Sequence, residues 1–451
     1  MATGIAVKPN EPAESKGFVE RLLSPIADVH VGEAGSVLLM TLLMFLTLGA
    51  YYLLKVAREE FILSQGGANV KAYSSGGQAL LLLILVPAYG KFASRVNRTM
   101  LIRWVTLFFI SNIGLFFLAN GAKLQIGIVF FLWVGIFNVM VISQYWAFAN
   151  DLYTPEQGKR LFPIIGLGAS LGAWIGSVGA GQMVSLGAQG LLAGGAGILL
   201  LCVLVADQVN RRAARMQPKA KADAAAKPLG KESGFHMIFH DRYLLLIALL
   251  TVLLNIVNNS GEYLFGRYVV ETAQHMYGVG ADTAAVRETF IGATYSHLFS
   301  AVNLVGFLLQ MFVVSRVFKY IGVGRALYIH PVVAGVGYLY MLRAPSFAFM
   351  RWLKIADNSL DYSLGNATKQ ALWLPTSREA KYKAKVAVDS FFMRFGDVVQ
   401  AGVVFAGAQL AFTVPGFAAL NVVLVGGWLT VAGLLNVDLK RKASETNGQV
   451  L

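Results

Sequence analysis

Apolar runs of about 18 or more residues recur along most of the chain, and runs of that length read as helices that cross a bilayer. Mean hydropathy is +0.60 and only 14% of residues are charged, which excludes an ordinary soluble globular protein. The 47 glycines fit the same class, because glycine is commoner in membrane helices than in soluble ones. The sequence therefore predicts an all-α membrane protein. Twelve spans are expected, at about 35–57, 77–93, 100–119, 124–149, 162–184, 189–207, 243–265, 291–315, 322–342, 346–373, 386–411 and 416–437.

Residues 208–242 break the pattern. They are polar, basic and rich in Ala and Lys, and they read as a linker between two six-helix halves. The expected organisation is a cytoplasmic segment 1–34, a first half 35–207, the linker 208–242, a second half 243–437 and a cytoplasmic tail 438–451. The first 34 residues show no basic-then-apolar-then-small cleavage pattern, so no cleaved signal peptide is expected.

The formal net charge of +14 would suggest nucleic acid in a soluble chain. Here the basic residues instead fall in alternate loops. Lys91, Arg95, Arg98 and Arg103 follow span 2, Lys159 and Arg160 follow span 4, and Arg316, Lys319 and Arg325 follow span 8. Arg378, Lys381, Lys383 and Lys385 follow span 10. The linker and tail lie on the same face. By the positive-inside bias, both termini are expected in the cytoplasm of a bacterial inner membrane. Lys71, Lys123, Arg287 and Arg343 are assigned to loops on the opposite face. The halves also repeat weakly: 89–102 parallels 314–329, and 152–172 parallels 372–392. Parallel repeats of six spans are the architecture of major-facilitator transporters.

Ionisable residues inside such a bundle are costly and mark candidate sites. Lys55 and Arg58 are three apart and share a helix face. They could snorkel to the interface, or form a cationic pair suited to phosphate or carboxylate. Glu59 and Glu60 are expected to offset that charge or to face water. Span 4 carries Asn138, Gln144, Tyr145, Trp146, Asn150 and Asp151; inter-helix bonding explains Asn138, and the later residues could line a gate. Span 7 places Asn255, Asn258, Asn259 and Glu262 on overlapping faces, with Arg267 beyond. Asp357, Asp361, Lys369, Asp389, Arg394 and Asp397 occupy spans 10 and 11, where mutual neutralisation is the simpler alternative to a substrate site. His297 and His330 read as satisfied polar contacts. Gly168, Gly172 and Gly176 repeat every four residues, a face for close helix packing. GLGASLG lacks both the strand and the GK[ST] of a nucleotide loop. The single Cys202 excludes a disulfide framework, and no metal constellation or catalytic triad is visible.

Three segments carry a resemblance. YSLGNATKQALWLPTSREAKYKAKVAVDSFFMRFGD (362–397), QYWAFANDLYTPEQGKRLFPIIGLGASLG (144–172) and LLKVAREEFIL (53–63) resemble the ADP/ATP carrier family of plastids and intracellular parasites. The resemblance implies a twelve-helix, major-facilitator-like fold and exchange of ATP against ADP plus phosphate. Arg58, Lys55, Glu262, Lys369 and Arg394 match basic or acidic positions of the family pattern. Two positions depart from it: Val134 stands where the family has a Glu, and Asp397 where it has a Lys. The expected function is a secondary transporter that exchanges nucleotides, not an enzyme, and it works without a cofactor. Its partners are a small-molecule substrate and membrane lipid, not nucleic acid, and it is expected to be a monomer. Lys55, Arg58, Glu262, Asp361, Lys369, Arg394 and Asp397 are expected to line or neutralise a central cavity. Tyr52, Trp146 and Asn150 are expected at a gate or against a base. A proton-coupled carrier of another anionic or amphipathic solute is the alternative, with Glu262 or Asp361 as the proton carrier. A membrane enzyme or sensor is a further one, disfavoured by the absence of any large soluble loop.

Overall fold

The computed structural model describes residues 29–30, 33–93, 98–153, 155–215, 234–343, 346–377 and 380–448. Most of the expected N-terminal segment, the middle of the linker (216–233) and residues 449–451 lie outside the described residues. So do the side chains of Asn150, Asp151 and several expected topology charges, among them Lys91, Arg95 and Lys159.

A bilayer offers no water to backbone N–H and C=O groups, so the chain satisfies them within helices. No strand occurs among the described residues. In chain order the helices are α1 (Ala34–Ala93), α2 (Arg98–Gly121), α3 (Gly127–Phe137) and α4 (Ser143–Leu152), then α5 (Pro155–Met183), α6 (Gly187–Arg215) and α7 (Gly234–His240). There follow α8 (Arg242–Tyr277), α9 (Ala284–Phe312), α10 (Val314–Tyr320), α11 (Val323–Ala326), α12 (Ile329–Met341) and α13 (Phe347–Leu360). The last are α14 (Asn366–Ala371), α15 (Lys385–Ala387), α16 (Met393–Gln409) and α17 (Val414–Gly448). Wide π turns join α3 to α4 (Asn138–Ile142), α13 to α14 (Asp361–Gly365) and α15 to α16 (Val388–Phe392).

Eight helical stretches among the described residues are long and apolar enough to cross a bilayer, by length and composition. Two of them, Ala34–Val86 and Arg160–Arg212, run to 53 residues, more than twice what a bilayer requires. Each folds back on itself. Gly67 takes φ +70°, and Lys71 Nζ lies 2.7 Å from Glu59 Oε2. In a straight helix those two residues would be roughly 18 Å apart along the axis, so the legs on either side of Gly67 are antiparallel. Gly187 (φ +69°) turns the second pair, and a Cβ on Gly194 would lie 2.7 Å from Met183 Cε. The fold is that of an integral, multi-pass membrane protein. Large apolar side chains such as Ile84, Trp104, Leu118, Val336 and Val423 stay exposed on its surface.

The structure differs from the sequence reading in three places. The expected break at 58–76 is a single turn at Gly67, so Lys71 is a helix residue and not a loop charge. The expected span 322–342 contains a helix of only 13 residues, and 346–373 is interrupted by a π turn at Asp361–Gly365.

The glycine face of α5 packs as expected. A Cβ on Gly172 would lie 2.1 Å from the Phe45 carbonyl oxygen, and one on Gly176 2.6 Å from the Gly49 backbone. The backbones of α1 and α5 therefore touch. Gly172→Ala is expected to lower thermal stability in detergent by about 1–3 kcal/mol, as overpacking does. An unchanged midpoint would mean that the two helices separate freely.

The start of α1 is clamped to the start of α5. Arg160 donates to both oxygens of Glu33, at 3.1 and 3.0 Å, Gln157 donates at 2.9 Å, and the His30 N–H at 3.0 Å. Burial alone would raise the Glu33 pKa, but these donors hold it below the ordinary carboxylate value. A lowered pKa contributes stability that is complete above the unfolded value, about 4.3, and is lost as pH falls through the folded value. Arg160→Gln should therefore lower the melting midpoint at neutral pH, and the difference should vanish in acid.

Candidate functional site

A cavity of about 300 Å³ lies between the legs of α1 and helices α8, α13 and α16. It is mostly polar because each of these helices turns its charged or amide residues inward. α1 contributes Lys55, Arg58, Glu59 and Lys71; α8 contributes Asn255, Asn258, Asn259 and Glu262; α16 contributes Arg394, Asp397 and Gln400.

Most of these charges are neutralised in place. Asp397 Oδ1 accepts from Asn255 and Asn259, each at 2.6 Å, while its Oδ2 lies 3.2 Å from Arg394. A ladder of hydrogen bonds and ion pairs crosses the cavity wall. His330 meets Asp357 at 2.8 Å, Asp357 meets Lys354 at 3.1 Å, and Lys354 meets Glu262 at 3.3 Å. Glu262 then meets Lys71 at 3.6 Å and Lys71 meets Glu59 at 2.7 Å, with Glu59 also bound to Arg58. Lys354 also donates to the Asn258 side chain at 2.7 Å, and Asn358 donates to Glu262 at 2.9 Å. Such a ladder exists because a buried charge left without a partner costs several kcal/mol.

Lys55 is different. It is 9% exposed and makes no ion pair among the described residues. Its Nζ sits 4.1 Å from the centre of the Phe299 ring and 5.0 Å from that of Tyr52. Aromatic faces hold a cation without neutralising it. Four cations and three carboxylates line the cavity among the described residues, so one positive charge is in excess. Lys55 is where it resides.

Of the expected site residues, Lys55, Arg58, Glu262, Arg394 and Asp397 line this cavity. Arg58 does not snorkel; it lies over the Phe131 ring. Lys369 and Asp361 do not line it. They pair with each other at 3.6 Å, and Lys369 faces a small recess beside His330 and Trp428. Tyr52 and Trp146 line a second cavity of about 250 Å³, near the end at which α1 begins. Tyr52 donates to Asn303 at 2.9 Å, and Tyr362 lines both cavities. Val134 is wholly buried. His330 makes the expected polar contact, to Asp357, whereas His297 is exposed. Glu59 offsets charge as expected, but Glu60 is 2% exposed and faces neither water nor a cation. Lys71, Lys354 and Asn358 are contributors the sequence reading missed. Lys354 shares a face with Asp357 and Asn358 at a spacing of three to four, a signal that was available.

No family model matches the sequence. A curated relative, ADP,ATP carrier protein 1 of Chlamydia trachomatis, is 23% identical over 337 residues, which is 66% of this chain and 62% of that protein. The chain is similar, at a distance, to ADP,ATP carrier proteins. The plastidic ATP/ADP-transporter of Solanum tuberosum is 22% identical over 336 residues, 66% of this chain and 51% of that protein. The match thus spans less than two thirds of these relatives' own length. Among solved structures, the nucleoside transporter NupG superposes with a TM-score of 0.59 at 14% identity, over 90% of this chain and 99% of that one. A bacterial homologue of the iron transporter ferroportin, in an inward-facing state, gives 0.59 at 14% identity over 87% and 98%. At that identity the likeness shows the fold alone, a major-facilitator-like one.

Proposed function

We propose that the chain is a secondary transporter that exchanges nucleotides, ATP and ADP among them, across a bacterial inner membrane. The carrying observation is the central cavity, with one unpaired, ring-caged lysine among otherwise neutralised charges. An anionic group can meet Lys55 there without first displacing a carboxylate. A phosphate oxygen would lie at Lys55, and the base would lie toward Tyr362, where the two cavities meet. Similarity to ADP,ATP carrier proteins supports the substrate class.

In this reading twelve spans form two six-helix halves, 35–207 and 243–437, and both termini are cytoplasmic. Alternating access is rocking of the halves about the cavity. The Lys71–Glu262 ion pair and the Tyr263–Asn69 hydrogen bond, at 2.9 Å, then close the end at Gly67. Lys369 and Asp361 hold α13 and α14 in register and do not touch the substrate.

Proteoliposomes loaded with ADP test this. They should accumulate labelled ATP or ADP from outside, and empty liposomes should not. Uptake driven by a pH gradient into empty liposomes would favour a proton-coupled carrier instead. No counterflow of any nucleotide by folded protein would sink the nucleotide reading.

A further inference from the structure

Glu60 is a deeply buried acid without an ion pair among the described residues. It lies where the end of α1's first leg meets the turn between α5 and α6 and the start of α9. It is 2% exposed. The Ala188 backbone N–H, at the start of α6, lies on the side of one carboxyl oxygen. The other, Oε2, has no hydrogen-bond partner and no ion pair among the described residues. A Cβ placed on Gly292 would lie 2.8 Å from that oxygen and 3.3 Å from Val184, so α9 presses directly on the carboxyl.

The charged groups around it do not supply a counter-ion. From α9, the charged group that bears on it is Glu288, a second acid. Arg287, the neighbour of Glu288, is turned to the Gly278 and Gly280 carbonyls and the Thr283 hydroxyl. The turn 184–188 carries no ionisable side chain. Within α1, Glu59 is already held by Arg58 and Lys71. An ionised carboxylate in such a place would be buried without a cation and beside another acid, which is unfavourable on both counts.

We propose that Glu60 is a proton-binding site at the seam between α1 and α9. With the seam closed, Glu60 is a neutral carboxylic acid. When α9 moves away and water enters, the O–H bond breaks, the proton passes to water and the carboxylate remains. When the seam closes again, the carboxylate recovers one proton. The seam itself is therefore proton-linked: acid favours the closed form, and alkali the open one. The protonation does not depend on which solute is carried. Its coupling to turnover rests on the alternating-access reading above.

Infrared spectroscopy of the purified full chain tests the protonation directly. At neutral pH the wild type should show the C=O stretch of a buried carboxylic acid, and Glu60→Gln should lose it. Gln is neutral and nearly isosteric, so the seam should still close. Were Gln to impair folding, Glu60→Asp should keep an acid band but shift it. Absence of the band in wild type, or an unchanged band in either variant, would overturn the proposal. Counterflow then tests the coupling. Wild-type exchange should slow as pH rises, because closing must recover a scarcer proton, while Glu60→Gln should be flat across the same range. An equal pH profile in both would refute the coupling, whereas loss of counterflow at every pH in the wild type would refute the transport reading and leave the infrared result standing.

Discussion

Lys354→Met should be the most destabilising single substitution in the bundle. The lysine is 3% exposed and sits between Asp357, at 3.1 Å, and Glu262, at 3.3 Å. Removing it takes from Asp357 its lysine, leaving it only His330, takes from Glu262 one of its two lysines, and takes a donor from the Asn258 backbone and side-chain oxygens. Breaking a buried pair this way costs about 3–5 kcal/mol. A fall of that size in the unfolding free energy in detergent is the expected result. Adding Asp357→Asn removes one of the two carboxylates that lose Lys354 and should restore a large part of the loss. If the single substitution left stability unchanged, the ladder would not be part of what holds the helices together.

Lys55→Gln should act on transport and leave stability nearly intact. No carboxylate among the described residues is ion-paired to Lys55, so its loss breaks no ion pair. A charge-assisted contact to phosphate is worth about 1.5–3 kcal/mol, so nucleotide affinity should fall roughly tenfold to a hundredfold. Measured as the half-saturating ADP concentration for counterflow, that shift separates Lys55 from Arg58. Arg58→Ala should lower uptake as well. In the structure it also releases Glu59 from one of its two cations, so its effect should include a loss of stability.

How much was legible in the sequence depended on what each residue faces. Helical class and the glycine face of α5 followed from periodicity, because spacing of four places Gly168, Gly172 and Gly176 on one stripe whatever surrounds it. Neutralisation between spans 10 and 11 was the simpler alternative read for Asp361, Lys369, Arg394 and Asp397, but the pairs in the structure, Arg394 with Asp397 and Lys369 with Asp361, each lie within one of those segments. Lys71 was misplaced for a physical reason. A run of charged and small polar residues lowers hydropathy as a loop would, yet here it folds as two antiparallel helix ends whose charges face inward and pair. Adjacent Glu59 and Glu60 look equivalent in sequence. They point to opposite environments because neighbours in a helix are about 100° apart, one toward Lys71 and the other toward α9.

The central claim is that the transported anion sits in the cavity around Lys55. Ser75 lines that cavity without ion-pairing, and Cys202, the single native cysteine, is buried and can be replaced by alanine. In Ser75→Cys on that background, labelling by a small maleimide reports directly on occupancy. ADP at saturating concentration should suppress labelling, and Lys55→Gln should shift the protecting concentration upward. Unaltered labelling under ADP, in protein that still performs counterflow, would contradict the placement of the substrate.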